Sequence, residues 1–371
     1  MFSSTARIIN SKFCIKISYI KRITGLAIYF FIGYISLFTI LFFVEGDKLN
    51  HTVAFLLTLI PSLIMGTGSA FGEASILGYL RLFPEGYVSG WSSGTGLAGV
   101  SGASITLIVK YKNISSKWLY LAVSPVCLIY FCAFFFSKKL REKAEAKNVL
   151  DKIHDKKDIE NKDEGENKEE SEPRKTENLG DISDIVKKED TEENKEMSCV
   201  NFGLAFSKSK RFIINLACVY CLEYIILSGL SERVSKKNVI KEDFFHNILY
   251  ETFCLCYQLG VWCSRSSLVV VKHIKLVEIF TICQAINVAL WFTQVLYPFV
   301  HISWICFIHL IIVGLFGGSA YVGCFYFVLE SKDIDSHLKE LSINIGTIFN
   351  DCGILTSSLV VLLLDNTLMK S

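Results

Sequence analysis

Residues 87–109 read YVSGWSSGTGLAGVSGASITLIV, 23 consecutive positions without a charge. Within them Gly94-Thr-Gly96-Leu-Ala-Gly99 matches the G-x-G-x-x-G pattern that cradles a dinucleotide pyrophosphate, so two readings compete for the same letters. The nucleotide reading needs a strand before the glycines, a helix after them and an acidic residue about 20 positions on. No Asp or Glu occurs between Gly86 and Arg141. At a rise of about 1.5 Å per residue, an uncharged helix of this length crosses roughly 30 Å of hydrocarbon. The stretch therefore reads as a membrane span whose glycines serve packing. Gly90, Gly94, Ala98 and Gly102 recur every four residues, a small-residue stripe expected to admit another helix backbone to backbone. Trp91, Ser92, Ser93, Thr95 and Gly96 lie at the same level, and their hydroxyls offer a polar lining as well.

The rest of the 371 residues supports that reading. Hydrophobic residues make up 51% and charged residues 20%, which is compatible with a membrane protein only if the charges are segregated. Residues 138–197 hold 15 Lys/Arg and 20 Asp/Glu of the chain's 38 and 36. Nearly uncharged runs occur at 23–44, 53–80, 87–109, 118–136, 212–230, 244–264, 276–300, 302–329 and 341–364. They predict about nine transmembrane helices, an all-α polytopic bundle, because barrel strands would be about ten residues long and would alternate.

Arg7, Lys12, Lys16, Lys21 and Arg22 make residues 1–22 a basic cytosolic N-terminus followed by a signal anchor. Alternation then divides the chain into a first bundle at 23–136, a disordered cytosolic loop at 137–211, a second bundle at 212–364 and a luminal tail at 365–371. The loop is too polar to bury a core and reads as a tether that can carry motifs for cytosolic trafficking partners. Asn50-His51-Thr52 and Asn113-Ile114-Ser115, two glycosylation acceptors, fall in loops expected to be luminal. The luminal loops offer no cysteine, so no disulfide framework is expected, and Cys218-Val-Tyr-Cys221 reads as packing inside a span.

Charges inside spans carry the functional signal, since each costs about 2.5–3.5 kcal/mol at the bilayer centre on insertion scales. Glu73, Glu223, Glu251 and Asp351 lie well inside, with Glu278 nearer an end. No Lys or Arg lies deep in a span, so these acids are expected to be protonated, hydrogen-bonded to Tyr or Ser, or bound to a cation. That is the profile of a proton- or cation-handling pathway. Glu251, Gln258 and Arg265 are seven apart and share a helix face. Arg265 reads equally as a cavity group and as a lipid-phosphate anchor, and His309 as a neutral hydrogen-bonding residue. No metal cluster, nucleophile–base pair or phosphate loop stands out, so no enzyme, cofactor, metal or nucleic-acid partner is expected.

"FGEASIL" with "SGWSSGTGLAG", then "CLEYIILSGLSE", "YQLGVWCSRSSL", "GLFGGSAYVGCFYFV" and "NDCGIL", resemble the battenin family of lysosomal membrane proteins, in family order from about residue 25 onward except for 137–211. The resemblance implies a helical bundle similar to the major facilitator superfamily, residence in lysosomal or vacuolar membrane, and roughly two further spans ahead of Ile23, so that the first half here is short. It also implies transport of small polar metabolites, basic amino acids or glycerophosphodiesters, with protons as a candidate coupled ion and a contribution to lysosomal pH homeostasis. The matched positions are Glu73, Trp91 to Gly94, Glu223, Tyr257, Gln258, Ser264 to Ser267, Gly317, Gly318 and Asp351, with Glu73, Glu223, Gln258 and Asp351 the leading cavity or coupling groups. The alternative is a membrane regulator of organelle pH and trafficking that acts through cytosolic partners.

Overall fold

The structure, a computed structural model, describes residues 2–14, 17–46, 48–80, 85–143, 199–236 and 247–367. Those residues are helical, with no strand among them. The first group comprises α1 (Phe2–Phe13), α2 (Tyr19–Glu45), α3 (His51–Leu80), α4 (Glu85–Tyr111), α5 (Ser116–Val123) and α6 (126–143). The second comprises α7 (Cys199–Ile225), which passes through a π-helical turn (Ile226–Leu230) into α8 (Ser231–Lys236), then α9 (Leu249–Ser266), the short α10 (Leu268–Val271), α11 (Glu278–Leu296), α12 (Ser303–Glu330) and α13 (Ser336–Asn366).

Eight of these helical segments are long and apolar enough to cross a membrane, as an all-α polytopic membrane protein requires. The ninth expected run, 244–264, folds as α9 but is not among the eight. Glu251, Gln258 and Arg265 make it the most polar of the long second-half helices. It tolerates them because α4 and α12 flank it, so little of its surface has to face lipid.

Within the segment 1–22, expected as a cytosolic N-terminus, α1 packs along α3 and α13, and Arg7 is only 4% exposed. Two expectations need correction. A polar loop over 137–211 is too long at both ends, since α6 runs to residue 143 and α7 begins at Cys199, leaving 144–198 outside the described residues. The small-residue stripe faces the wrong way: Gly90, Gly94 and Gly102 have open space where a Cβ would stand, and all are exposed. The packing face of α4 is Ser92, Gly96 and Gly99, two residues out of phase and so roughly on the opposite side of the helix. There a Cβ on Gly96 would stand 2.9 Å from the Trp262 Cα of α9, and one on Gly99 would collide with Gln258.

The second group holds two apolar cores. One gathers Ile213, Leu216, Val219 and Tyr220 of α7 with Tyr321, Cys324 and Phe325 of α12. The other gathers Phe253 and Tyr257 of α9 with Trp291 and Val295 of α11 and Phe307 and Leu310 of α12. Glycine lets the backbones meet: a Cβ on Gly260 of α9 would strike the Ile311 carbonyl, and one on Gly314 of α12 would strike the Tyr257 carbonyl. The core of the first group is smaller, around Ile23, Tyr79 and Phe134. Its helix α4 lies along α9 and touches α3 only briefly, so the two groups meet through α4, α1 and the end of α3.

Candidate functional site

Helical spacing delivers polar side chains from seven helices to the seam between the groups. Tyr220, Glu223 and Tyr224 share a face of α7 at i, i+3 and i+4, as do Tyr257 and Arg265 two turns apart on α9 and Gly317 and Tyr321 one turn apart on α12. Glu73 comes from α3, Thr95 from α4, Asp351 from α13 and Arg7 from α1.

Three connected arrangements result. In the first, Arg7 bridges two acids: Nη2 lies 2.6 Å from Glu73 Oε2 and Nε 3.1 Å from Asp351 Oδ2, while Nη1 donates to the Ala70 carbonyl at 3.5 Å. A guanidinium that bridges two carboxylates makes one charge-assisted hydrogen bond to each, stronger than a neutral one, and removing the buried cation would leave both acids uncompensated. Tyr321 donates its hydroxyl proton to Glu73 Oε1 at 2.5 Å, so both carboxylate oxygens of Glu73 are engaged. One turn on from Arg7, Asn10 accepts the Ser75 hydroxyl at 3.2 Å.

The second arrangement centres on Arg265. Nη1 donates to Thr95 Oγ1 and Nη2 to the Tyr220 hydroxyl, both at 3.0 Å, and Cζ lies 4.2 Å from the centre of the Tyr321 ring. Its Nε has no acceptor among the described residues. Arg265 is thus a seam residue joining α4, α7, α9 and α12. The third arrangement is Glu223, 1% exposed, whose Oε1 accepts the Tyr257 hydroxyl while Oε2 has no partner among the described residues. A Cβ on Gly317 would occupy the space of that carboxyl, so glycine makes the room. Tyr321 ties the first two arrangements together through its hydroxyl and its ring face.

The remaining expected site residues are placed as follows. Gln258 lies against Gly99, between α9 and α4. Glu251 is remote from the cluster, at one end of the bundle, paired with Lys110 at 2.8 Å. Successive steps of seven positions on α9 therefore reach three different neighbourhoods along one contact with α4. Ser93 bonds Ser266 at 2.8 Å, Ser92 is buried with no partner for its hydroxyl among the described residues, Trp91 packs on the core of the second group, and Gly94 faces outward. Asn50 and Asn113 both lie in connections between helices, and these two connections share one end of the bundle, where Glu45 pairs with Lys117 and accepts the Ser115 hydroxyl. Cys218 and Cys221 are both free. Among the described residues no group of three or more His, Cys, Asp or Glu is placed to hold a metal.

Reading the sequence missed Arg7. It expected interior acids without Lys or Arg, because a cation search confined to apolar runs cannot see one contributed by a short basic helix outside them. Tyr220 and Tyr321 were also missed as site residues; the signal available was their helical spacing to Glu223 and Gly317.

A family model described as CLN3 protein matches residues 3–371. Battenin of Dictyostelium discoideum is 31% identical over 337 residues, 88% of this chain and 76% of that protein. Protein BTN1 of Candida glabrata is 27% identical over 377 residues, 97% of this chain and 83% of the relative. Battenin of Canis lupus familiaris is 27% identical over 319 residues, 84% and 65% of the two chains. A multi-pass helical bundle matched over nearly its whole length by one family model, with battenins among its relatives, this chain belongs to the CLN3 protein family.

Proposed function

We propose that this protein is a battenin-like transporter of small polar metabolites in the lysosomal or vacuolar membrane, with basic amino acids or glycerophosphodiesters as substrates and protons as the coupled ion, and that it contributes in this way to organelle pH. The observation that carries the reading is the buried polar seam. Its groups come from helices on both sides of residues 144–198, and two helical groups meeting at an ionisable mid-bundle cluster are what alternating access needs. Glu223 supports the proton role: it is a buried carboxyl with a tyrosine donor on one oxygen and, among the described residues, no partner on the other. A group of that kind can gain or lose a proton without breaking an ion pair, whereas Glu73 and Asp351 share Arg7.

The test is uptake of labelled lysine or glycerophosphocholine into proteoliposomes with an imposed pH gradient. The wild type should show gradient-dependent uptake of at least one of the two. Glu223→Gln, which keeps shape but removes the titrating group, should lower that gradient-driven component at least about tenfold. Unchanged gradient-driven uptake in the variant removes Glu223 from the coupling role.

A further inference from the structure

Away from the polar cluster, a cavity of about 840 Å³ lies at the end of the bundle that holds Asn113. Its walls include Lys110 of α4, Asn113 just beyond it, Glu232 and Lys236 of α8, and Tyr250 and Glu251 of α9. The backbone holds these walls in place. The Asn113 N–H donates to the Lys110 carbonyl at 3.2 Å and the Ile114 N–H to the Val109 carbonyl at 2.9 Å, while Asn113 takes φ 50°. This is the left-handed closing turn of a helix, which asparagine tolerates, and it fixes the level at which α4 ends. From the other side Tyr250 donates its hydroxyl to the Leu227 carbonyl at 3.4 Å, tying α9 to the π-helical turn that leads into α8.

Two ion pairs stand in this lining. Lys110 lies 2.8 Å from Glu251 and Lys236 lies 2.5 Å from Glu232, so each cation is matched by one acid. The first pair joins α4 to α9, and hence one helical group to the other; the second joins positions one turn apart on α8. Among the described residues of the lining the charges therefore cancel, two against two. A solute of net charge meets as many repelling groups here as attracting ones. A solute with a cation and an anion on one short frame does better, because an ion pair is a dipole and a second dipole lies antiparallel along it, anion against lysine and cation against carboxylate. The pair need not open for this. An ammonium has three donors, and the Lys110 side chain is 55% exposed, so it can serve Glu251 and an incoming anion together. Glu251, at 13% exposed, is the more enclosed partner, where water screens an added cation less.

We propose that this cavity binds a small solute of no net charge that carries a cationic nitrogen and an anionic group, and that the solute lies along the Lys110–Glu251 pair. Tyr111, Ser235 and Asn247, also in the lining, bring hydroxyl and amide groups suited to the polar frame between the two charges. The volume falls within the range of about 300–1,000 Å³ typical of ligand pockets. Because Lys110 and Glu251 belong to different helical groups, a solute held by both bears on how the groups meet at this end. The purpose of the site rests on the transport reading; binding there does not.

The experiment uses the full chain in nanodiscs, without a gradient, and equilibrium dialysis against four radiolabelled probes. Glycerophosphocholine is a dipolar phosphodiester and glycine betaine a dipolar carboxylate; lysine carries net positive charge and glycerol 3-phosphate net negative charge. At least one dipolar probe should bind about tenfold more tightly than both charged ones, and which one does so identifies the anion. Lys110→Gln and Glu251→Gln should each weaken its binding about tenfold, as loss of one hydrogen bond to a charged group does. On the unaltered chain, the same probe should slow hydrogen exchange at residues 109–114 and 247–252, which locates the site even if either variant fails to fold. Net-charged probes that bind as tightly as the dipolar ones, no binding of either dipolar probe at millimolar concentration, or protection confined to other helices overturns the proposal. Uptake that persists without binding here strikes this site and leaves the transporter; binding here without uptake does the reverse.

Discussion

Arg7 is the residue on which most of the seam depends, because it is a buried cation shared by two half-buried acids from different helical groups. Replacing it with alanine leaves Glu73 and Asp351 close together with no cation, and a buried pair broken on one side costs about 3–5 kcal/mol. Arg7→Ala should therefore lower the thermal midpoint of the purified protein markedly, read with a thiol-reactive dye. The triple variant Arg7→Ala, Glu73→Gln, Asp351→Asn should recover much of the loss, since no charge is then left unpaired. A triple variant no more stable than the single one refutes this account of Arg7. At this scale the sequence showed half of the site. Glu73, Glu223 and Asp351 announce themselves because a carboxylate amid apolar residues is costly wherever it stands. Arg7 does not, because within a basic segment of 22 residues nothing local separates an arginine that enters the bundle from one that holds a terminus in the cytosol.

Among the elements, α4 shows how hydropathy and packing carry different information. Its 23 uncharged residues announced a span, and a span they form. The face it presents was misread, since two sets of small residues occur on it and only the partner helix selects between them. Gly94→Ala, on the open face, should change stability by no more than about 0.5–1 kcal/mol, and in the favourable direction, because alanine is the better helix former. Gly96→Val, against the Trp262 backbone, should instead push α4 off α9 and lower the yield of monodisperse protein on size-exclusion chromatography. Equal behaviour of the two variants would mean that α4 does not pack on α9 as described. α9 teaches the converse lesson. It is long enough to be recognised, but its polarity is intelligible only once α4 and α12 are seen on either side of it, and adjacency of that kind is a tertiary fact no single window contains.

For the whole molecule, the two helical groups are joined by side-chain and backbone packing rather than by the chain that links them. Arg7 to Asp351, Ser93 to Ser266, Thr95 to Arg265 and Lys110 to Glu251 all cross from one group to the other, and α4 lies along α9. Residues 1–143 and 199–371 expressed together as separate polypeptides should consequently copurify through a tag on either one, and Gly96→Val should reduce that recovery; failure of the unaltered halves to associate would show that the covalent link is needed. The charge run led to an expectation of two halves, while the route by which the helices on either side of it touch was not legible, because it rests on contacts between residues hundreds of positions apart. The Arg7–Asp351 contact, 344 positions apart in sequence, has a consequence for biogenesis. Asp351 is synthesised 344 positions after Arg7, so the acid from α13 reaches the guanidinium only after the intervening helices have been made. A chain halted before α13 keeps an incompletely matched cation beside the membrane, which gives cellular quality control a chemical mark by which to tell unfinished molecules from complete ones.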